Sequence, residues 1–145
     1  MKPQDARFAI VAADFYEDLA ARLIAGAKAE LTEAGAVVVD EFRVPGAFEL
    51  PLAALQLAKG GYNAVVCVGA VIRGETDHYD WVCAEAASGI TRVGLDTGVP
   101  CGFGVLTVDN LDQALARSGG DKRDSGRHAA AAVLAQLAIA EKLKG

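Results

Sequence analysis

The sequence predicts an α/β fold, a three-layer α/β/α sandwich in which helices flank a four-stranded parallel sheet. Four short apolar runs are rich in β-branched residues, as in strands buried on both faces of a parallel sheet. Segments with helical spacing separate these runs, which indicates βαβ units with right-handed crossovers. The 145 residues, 52% of them hydrophobic, suit one domain with one core over residues 1–145.

The first half of the chain contains two predicted strands and two predicted helices. The first strand covers residues 8–13, and the second covers residues 36–44 before Pro45 and Gly46. Between them, a helix ending at Gly35 carries apolar residues at i, i+4 spacing: Phe15, Leu19, Leu23, Ala27 and Leu31. Pro51 fits the first turn of the second helix, which ends at Gly60-Gly61 and carries Leu52, Leu55 and Leu57.

The segment from Val65 to His78 is the one around which the site is organised. Its strand, residues 65–70, leads into a turn containing Gly69 and Gly74, and Thr76 and Asp77 are N-cap residue types. In the helix that follows, the residues that recur at helical spacing are Trp81, Val82, Glu85, Ala86 and Ile90. A helix N-terminus after such a turn can bind an anion, with His78 beside it as a proton-transfer group. The alternative is an ordinary turn with a surface histidine.

The last part of the chain contains one strand and two helices. Pro100 precedes a strand over residues 103–108, and a short helix covers residues 111–117. A polar link, residues 118–126, leads to a last helix over residues 127–143 that is apolar nearly all round. A surface helix of a monomer should have a polar face, so this helix predicts packing against another subunit. The alternative is a helix wedged deep in its own fold.

Composition excludes several classes of protein. The net charge of −5 and pI near 5.0, with no basic stripe, argue against nucleic acid or an acidic membrane as a partner. No apolar run reaches membrane-spanning length or resembles a signal peptide. Cys67, Cys83 and Cys101 are odd in number and widely spaced, so we interpret them as small buried residues in a reducing cytoplasm, with no disulfide and no metal site.

Ligands of open α/β sheets collect beyond the carboxyl ends of the strands, which selects the candidate site residues. They offer an aromatic face, a hydroxyl acceptor, an anion cradle and an imidazole, a composition that suits a planar polar heterocycle meeting a small phosphorylated partner. Taken singly, Phe15 and Phe48 could be core residues and Glu49 a helix-start carboxylate. The candidates are Asp14 to Tyr16, Pro45 to Glu49, Ala70 to His78, Phe103 and Thr107.

Three motifs in order and spacing resemble the 6,7-dimethyl-8-ribityllumazine synthase family. They are VPGAFELP at residues 44–51, GAVIRGETDH at residues 69–78 and FGVLT at residues 103–107, and the resemblance runs from about Arg7 to Leu143. It implies a flavodoxin-like fold and the penultimate reaction of riboflavin synthesis, catalysed by a transferase. That reaction joins 5-amino-6-ribitylaminouracil to 3,4-dihydroxy-2-butanone 4-phosphate and releases phosphate and water without a cofactor. The resemblance also implies pentamers with active sites between neighbours, and a decamer or a sixty-subunit shell is compatible with the sequence.

The same resemblance implies roles for individual residues. Phe15 would stack on the pyrimidine. Ala47 and Glu49 would meet the ribityl chain, and Phe48 lies between them in the same motif. Val71 and Ile72 would hold the ring edge through their backbones. Histidine suits proton transfer near neutral pH, and His78 would shuttle protons. The phosphate would be bound by Gly74, Glu75 and Thr76, and an adjoining subunit would contribute Phe103 and, toward the phosphate, Arg117.

The sequence also departs from the family pattern. The usual Arg-Phe-Asn after the first strand is Asp14-Phe15-Tyr16 here, so the asparagine's contact is lost or passes to the tyrosine hydroxyl. A lysine expected near the phosphate is Ser125, and an expected glutamate is His128. Lys122, Arg123 or Arg127 could restore the missing charge. We therefore hold Ser125, Arg127 and His128 as further candidates for the phosphate subsite.

Three other interpretations are open to test against the sequence. A phosphoacceptor receiver domain needs an aspartate at the end of its third strand, and residues 65–70 contain no acid. A dinucleotide-binding domain needs G-x-G-x-x-G after its first strand, where this chain has Ala12-Ala13-Asp14-Phe15. The serious alternative is a non-catalytic family member that binds a flavin or lumazine as a carrier or scaffold.

Overall fold

A computed structural model describes residues 1–119 and 123–144. Their strands form one parallel sheet in the order β2-β1-β3-β4. The strands are β1 (Arg7–Ala13), β2 (Val38–Val44), β3 (Ala64–Ile72) and β4 (Cys101–Val108). The helices are α1 (Glu17–Glu33), α2 (Leu50–Lys59), α3 (His78–Thr97), α4 (Leu111–Ala116) and α5 (Ser125–Leu143). The predicted α/β class and the four-stranded parallel sheet flanked by helices are confirmed.

The sheet has a separate apolar layer on each face because strand side chains alternate. Phe8 and Ile10 of β1 point to the face covered by α1 and α5, where Leu23 and Val133 pack. Val11 points to the opposite face, covered by α2 and α3. These two layers are the flanking layers that the alternation of strands and helices predicted.

Helix α5 lies against α1 and β4 at a distance that only glycine allows. A Cβ at Gly126 would overlap the backbone of Leu23, and a Cβ at Gly102 would overlap the backbone of Ala129. The glycines therefore fix where the N-terminal half of α5 lies over the sheet. Its buried residues are Ser125, Gly126, Ala129, Ala130, Val133 and Leu137.

The opposite face of α5 is exposed and apolar. Ala131, Ala135 and Ala138 are exposed there, and Ile139 is 61% exposed. The alternative of a helix wedged deep in its own fold is wrong, because the helix buries only one side.

Several element boundaries and burial patterns differ from the sequence-based predictions. Helix α1 begins at Glu17, because Tyr16 has extended backbone angles and occupies the N-cap. Phe15 therefore precedes the helix and is not part of its buried stripe. In α2 the buried residues are Leu50 and Ala54, and a short 3-10 turn, Ala47–Glu49, precedes them.

Four further boundaries shift by one to two residues. Strands β2 and β4 each begin two residues away from the predicted start, at Val38 and Cys101. Helix α5 begins two residues early, at Ser125, because the Asp124 side chain accepts a hydrogen bond from the Arg127 N–H at 3.1 Å. Helix α4 ends at Ala116, so Arg117 is its C-cap.

Candidate active site

A cavity of about 270 Å³ opens at the carboxyl end of the sheet, between the ends of β1 and β3, the 3-10 turn and the start of α3. Ten of the candidate site residues line it together. It is lined by Phe15, Tyr16, Gly46, Ala47, Phe48, Glu49, Ala70, Val71, Ile72, His78 and Val82. Strand ends of a parallel sheet meet at one edge, which is why segments far apart in sequence form this cavity.

Two phenylalanines at the cavity are exposed rather than packed in a core. Phe15 is 74% exposed and Phe48 is 58% exposed. The Phe15 ring meets Tyr16 edge to face, with ring centroids 4.9 Å apart and an angle of 87° between the rings. Because this contact leaves a ring face of Phe15 open, a flat heterocycle could stack on it. The alternative that these two residues belong to the protomer's core is wrong.

Strand β3 extends further than β1, which leaves part of its backbone edge open beside the cavity. Pairing between β1 and β3 ends at Ala12 and Val68, whereas pairing between β3 and β4 continues to Ile72 and Val108. From Gly69 to Ile72, β3 is therefore paired as a strand on one side in the described structure. Backbone groups on the other side can bind a ligand as an added strand would.

The turn after β3 is open on its outer side. A Cβ built at Gly74 would meet no heavy atom within 4 Å, so a ligand could approach the backbone there. Thr76 Oγ1 accepts a hydrogen bond from the backbone N–H of His78 at 3.3 Å. Asp77 occupies the N-cap position, but its side chain makes no capping hydrogen bond. The N–H groups of residues 74–76 make no hydrogen bond within the part of the chain that the structure describes, so they are available to an anion.

His78 is the first residue of α3, and its exposed side chain lines the cavity. The same cavity contains Phe15 and the open edge of β3. The arrangement places an imidazole beside both an exposed aromatic ring and the turn after β3. Such a site can bind a flat ring, bind an anion and move protons between them.

The matching family model covers residues 5–141 and is described as 6,7-dimethyl-8-ribityllumazine synthase. The chain belongs to the 6,7-dimethyl-8-ribityllumazine synthase family. A protein of that name from Kineococcus radiotolerans is 52% identical over 141 residues, which are 96% of this chain and 86% of the relative. Others, from Deinococcus radiodurans and Salinibacter ruber, are 46% and 45% identical, covering 97% and 96% of this chain and 90% and 91% of the relatives.

Two residues that the family resemblance assigned to an adjoining subunit lie outside the cavity of their own protomer. Phe103 lies on β4, on the α3 side of the sheet, and is 42% exposed. Arg117 follows α4, and its Nη1 donates to the Gln113 carbonyl oxygen at 3.1 Å. Neither is among the residues lining the cavity. Their roles stay predictions.

The three further candidates for the phosphate subsite lie around the start of α5. Ser125 is buried, and its backbone N–H donates to the Arg117 carbonyl oxygen at 2.9 Å. His128 is exposed on the first turn of the helix, and Arg127 contacts Glu30 and Glu33 of α1. Arg123 is exposed, and Lys122 lies outside the described residues. Within a protomer, none of the described members of this group lines the cavity.

The departure from the family pattern after β1 is visible at the cavity. Asp14 donates its backbone N–H to the Val44 carbonyl oxygen at 3.0 Å, and its side chain lies 4.0 Å from Arg43. Tyr16, which stands where the family pattern has asparagine, lines the cavity. Val82 is the lining residue that was not among the candidates. Val82 lies one helical turn after His78, and that spacing could have identified it.

The cysteines are poor candidates for nucleophilic chemistry. Burial raises the pKa of Cys101 to about 11, and it also raises the pKa values of Cys67 and Cys83. Thiols with raised pKa values remain protonated near neutral pH and react slowly.

Within residues 1–119 and 123–144, no cluster of three or more His, Cys, Asp or Glu side chains is placed to hold a metal ion. No helix in those residues is long and apolar enough to cross a membrane.

Proposed function

We propose that this chain is a 6,7-dimethyl-8-ribityllumazine synthase that acts in riboflavin biosynthesis. It joins 5-amino-6-ribitylaminouracil to 3,4-dihydroxy-2-butanone 4-phosphate and releases phosphate and water. The observation that carries the proposal is a single cavity, in a chain of this family, that contains exposed aromatic rings, an open strand edge and His78. The relatives bearing the enzyme's name support the same conclusion.

The pyrimidine substrate binds at the β1 and β3 ends of the cavity. Phe15 stacks on the ring, and the backbone of Val71 and Ile72 binds the ring edge. Two observations support this placement: the Phe15 ring is exposed, and the pairing between β1 and β3 ends at Val68. The ribityl chain lies along Ala47 and Glu49, where Glu49 supplies an acceptor for its hydroxyl groups.

The phosphorylated substrate binds at the turn formed by residues 74–76. Backbone N–H groups of this turn donate to the phosphate, whose charge the positive end of α3 stabilises. The departing phosphate develops charge, and donors aimed at that charge lower the barrier to its release. His78 removes and returns protons during imine formation and phosphate loss, both of which require a general acid or base.

The enzyme works as a homo-oligomer, because one protomer supplies only part of the site. Residues 60–91 contain a single Lys or Arg, Arg73, whereas Glu75, Asp77 and Asp80 add negative charge around the turn. A phosphate dianion there requires a further cation, and Arg117 of a neighbouring protomer supplies it. The same neighbour contributes the Phe103 ring to the site. The exposed apolar face of α5 supports the presence of a partner.

We expect this assembly to be a cyclic pentamer or a larger structure built from pentamers. Light scattering of the purified protein at micromolar concentration should give at least five times the 15.0 kDa protomer mass. A 15.0 kDa species under those conditions would contradict both the assembly and the shared site. The proposed enzyme is a single domain of the cytoplasm and needs no metal or cofactor for this reaction.

Steady-state turnover with both substrates tests the function directly. The synthase should form the lumazine product at a rate above the spontaneous reaction, with saturation by each substrate. The non-catalytic alternative is motivated by Ser125 and His128, which stand where the family has lysine and glutamate. A protein of that kind would bind lumazine in a titration and leave the spontaneous rate unchanged.

A further inference from the structure

Arg73 lies between the end of β3 and the turn formed by residues 74–76, which we call the phosphate loop. Its backbone N–H donates to the carbonyl oxygen of Val108 at 2.9 Å, which fixes the start of the loop to the end of β4. Its side chain is not among those lining the cavity. The residue is therefore adjacent to the proposed anion site in sequence, but its guanidinium is used elsewhere.

The guanidinium of Arg73 contacts two carboxylates and an aromatic ring. Its Nε donates to Asp109 Oδ1 at 3.0 Å, and its Nη1 lies 3.7 Å from Asp80 Oδ1. The guanidinium carbon lies 4.3 Å from the centroid of the Tyr79 ring. The hydrogen bond to Asp109 raises the pKa of Arg73. A planar guanidinium that stacks and donates sideways at once has a fixed orientation, which a lysine could not adopt.

These contacts join the two ends of the phosphate loop to a third element. Tyr79 and Asp80 belong to the first turn of α3, immediately after the loop, and Asp109 lies between β4 and α4. Asp109 is itself held, since its backbone N–H donates to Gln113 Oε1 at 2.8 Å. Within the described residues, the loop's own side chains contribute one hydrogen bond, between Thr76 and His78. The loop therefore depends on Arg73 for much of its fixed position.

We propose that Arg73 is a positioning residue, oriented by Asp109 and Tyr79, that holds the phosphate loop in the conformation that binds the substrate phosphate. This inference rests on the proposed function of that loop. The competing explanation is that Arg73 binds the phosphate directly, as its place in the sequence would suggest. The two explanations differ in what they predict for Asp109. Removing Asp109 disorders the loop in the first case, and in the second it frees a cation for the substrate.

A double-mutant cycle of Arg73→Ala and Asp109→Ala separates the two explanations. Each single variant should raise KM for the phosphorylated substrate about threefold to tenfold and KM for the pyrimidine less than twofold. The double variant should be no worse than the more impaired single variant, because both changes break the same contact. An unchanged or lower KM for the phosphorylated substrate in Asp109→Ala would overturn the proposal, as would equal increases for both substrates.

Two further variants control for charge. Arg73→Lys keeps the positive charge but loses the planar stack and the Nε donor, so it should fail to restore a normal KM. Restoration by lysine would show a direct charge contact and overturn the proposal. Arg92→Ala removes another exposed arginine that also pairs with a carboxylate. Its Nη2 lies 3.9 Å from Asp96 Oδ2 at the far end of α3. It should leave both KM values unchanged.

Amide hydrogen exchange tests the loop without reference to turnover. Residues 74–78 should exchange faster in Arg73→Ala and in Asp109→Ala than in the wild type, while the thermal midpoint of unfolding stays the same. Unchanged exchange in both variants would overturn the positioning role. If the wild type shows no turnover but both variants show faster loop exchange, the proposed function fails while the structural role of Arg73 stands.

Discussion

Arg127 is joined to Glu33 by two hydrogen bonds, from Nη1 to Oε2 at 3.0 Å and from Nη2 to Oε1 at 3.3 Å. Glu30 accepts a third from Nη1 at 3.2 Å. Hydrogen bonding to Glu33 raises the pKa of Arg127, and the same contact lowers the pKa of Glu33. The positive charge of Arg127 is thus balanced within its own protomer, which makes it a poor replacement for the lysine missing at Ser125.

Arg117→Ala should therefore raise KM for the phosphorylated substrate much more than KM for the pyrimidine. Charge-assisted hydrogen bonds contribute about 1.5–3 kcal/mol, which corresponds to roughly tenfold to a hundredfold in KM. Steady-state kinetics with one substrate varied at a time gives both constants. Arg127→Ala is the matched control and should leave both KM values near normal. A selective effect of Arg127→Ala, with none from Arg117→Ala, would assign the phosphate to the start of α5.

Phe15→Ala should weaken lumazine binding severalfold while the protein stays folded. Aromatic pairs add about 0.5–1.5 kcal/mol beyond the burial of area, and Phe15 has little packing to lose because it is 74% exposed. A fluorescence titration measures the dissociation constant. Phe42→Ala is the control. Phe42 lies on β2, its ring centroid is 5.7 Å from that of Tyr62, and it does not line the cavity. Equal dissociation constants for wild type and Phe15→Ala would exclude stacking.

His78→Ala should lower kcat by about 10²–10⁴-fold with little change in KM, because proton transfer stabilises the transition state more than the bound substrate. The loss will lie at the low end of that range if the spontaneous reaction is fast. Turnover at saturating substrate, corrected for the uncatalysed rate, gives the value. His128→Ala provides the comparison, since His128 is exposed on α5 outside the cavity. Full activity in His78→Ala beside an inactive His128→Ala would reverse the assignment.

Gly126→Ala should destabilise the protein by about 1–3 kcal/mol, because its Cβ would overlap the backbone of Leu23 and push α5 away from α1. Urea unfolding measures the change in the free energy of unfolding. Both proteins are compared at one fixed protein concentration, because the unfolding midpoint of an oligomer depends on concentration. Gly94→Ala in α3 is the matched control. Its Cβ would meet only ordinary contacts, the nearest at 3.6 Å, so the substitution should be neutral or stabilising. Equal midpoints for wild type and Gly126→Ala would show that α5 can move without cost.

Much of the fold could be predicted from sequence because the signals are local. The uninterrupted apolar run of β3 and the i, i+4 spacing of Leu19, Leu23 and Leu31 correctly indicated buried elements. Spacing alone could not show where α1 begins, so Phe15 was wrongly included in its buried stripe. Trp81 is an error of the same kind, since it continues the apolar pattern of α3 yet is 68% exposed.

The site was less predictable, since it depends on how distant segments meet. The strand ends gave the correct neighbourhood for Phe15, Phe48 and His78, because parallel strands bring their carboxyl ends together. The stagger between β1 and β3 depends on pairing across more than 50 residues, and no single residue type indicates it. Val82 was overlooked because its place in the apolar pattern of α3 indicates burial alone, although it also lines the cavity one turn after His78.

The open edge of β3 between Gly69 and Ile72 has a consequence for how well the proposed site tolerates substitution. In the proposed binding mode the ring contacts backbone groups, which every amino acid possesses. Substitutions at Val71 or Ile72 would therefore change the width of the site without removing these donors and acceptors. What such binding requires is the path of the strand, which neighbouring β4 maintains through pairing up to Val108. Asp14 and Tyr16, where this chain departs from the family pattern, lie outside that strand. Recognition of the ring in that mode is a property of the sheet rather than of particular side chains.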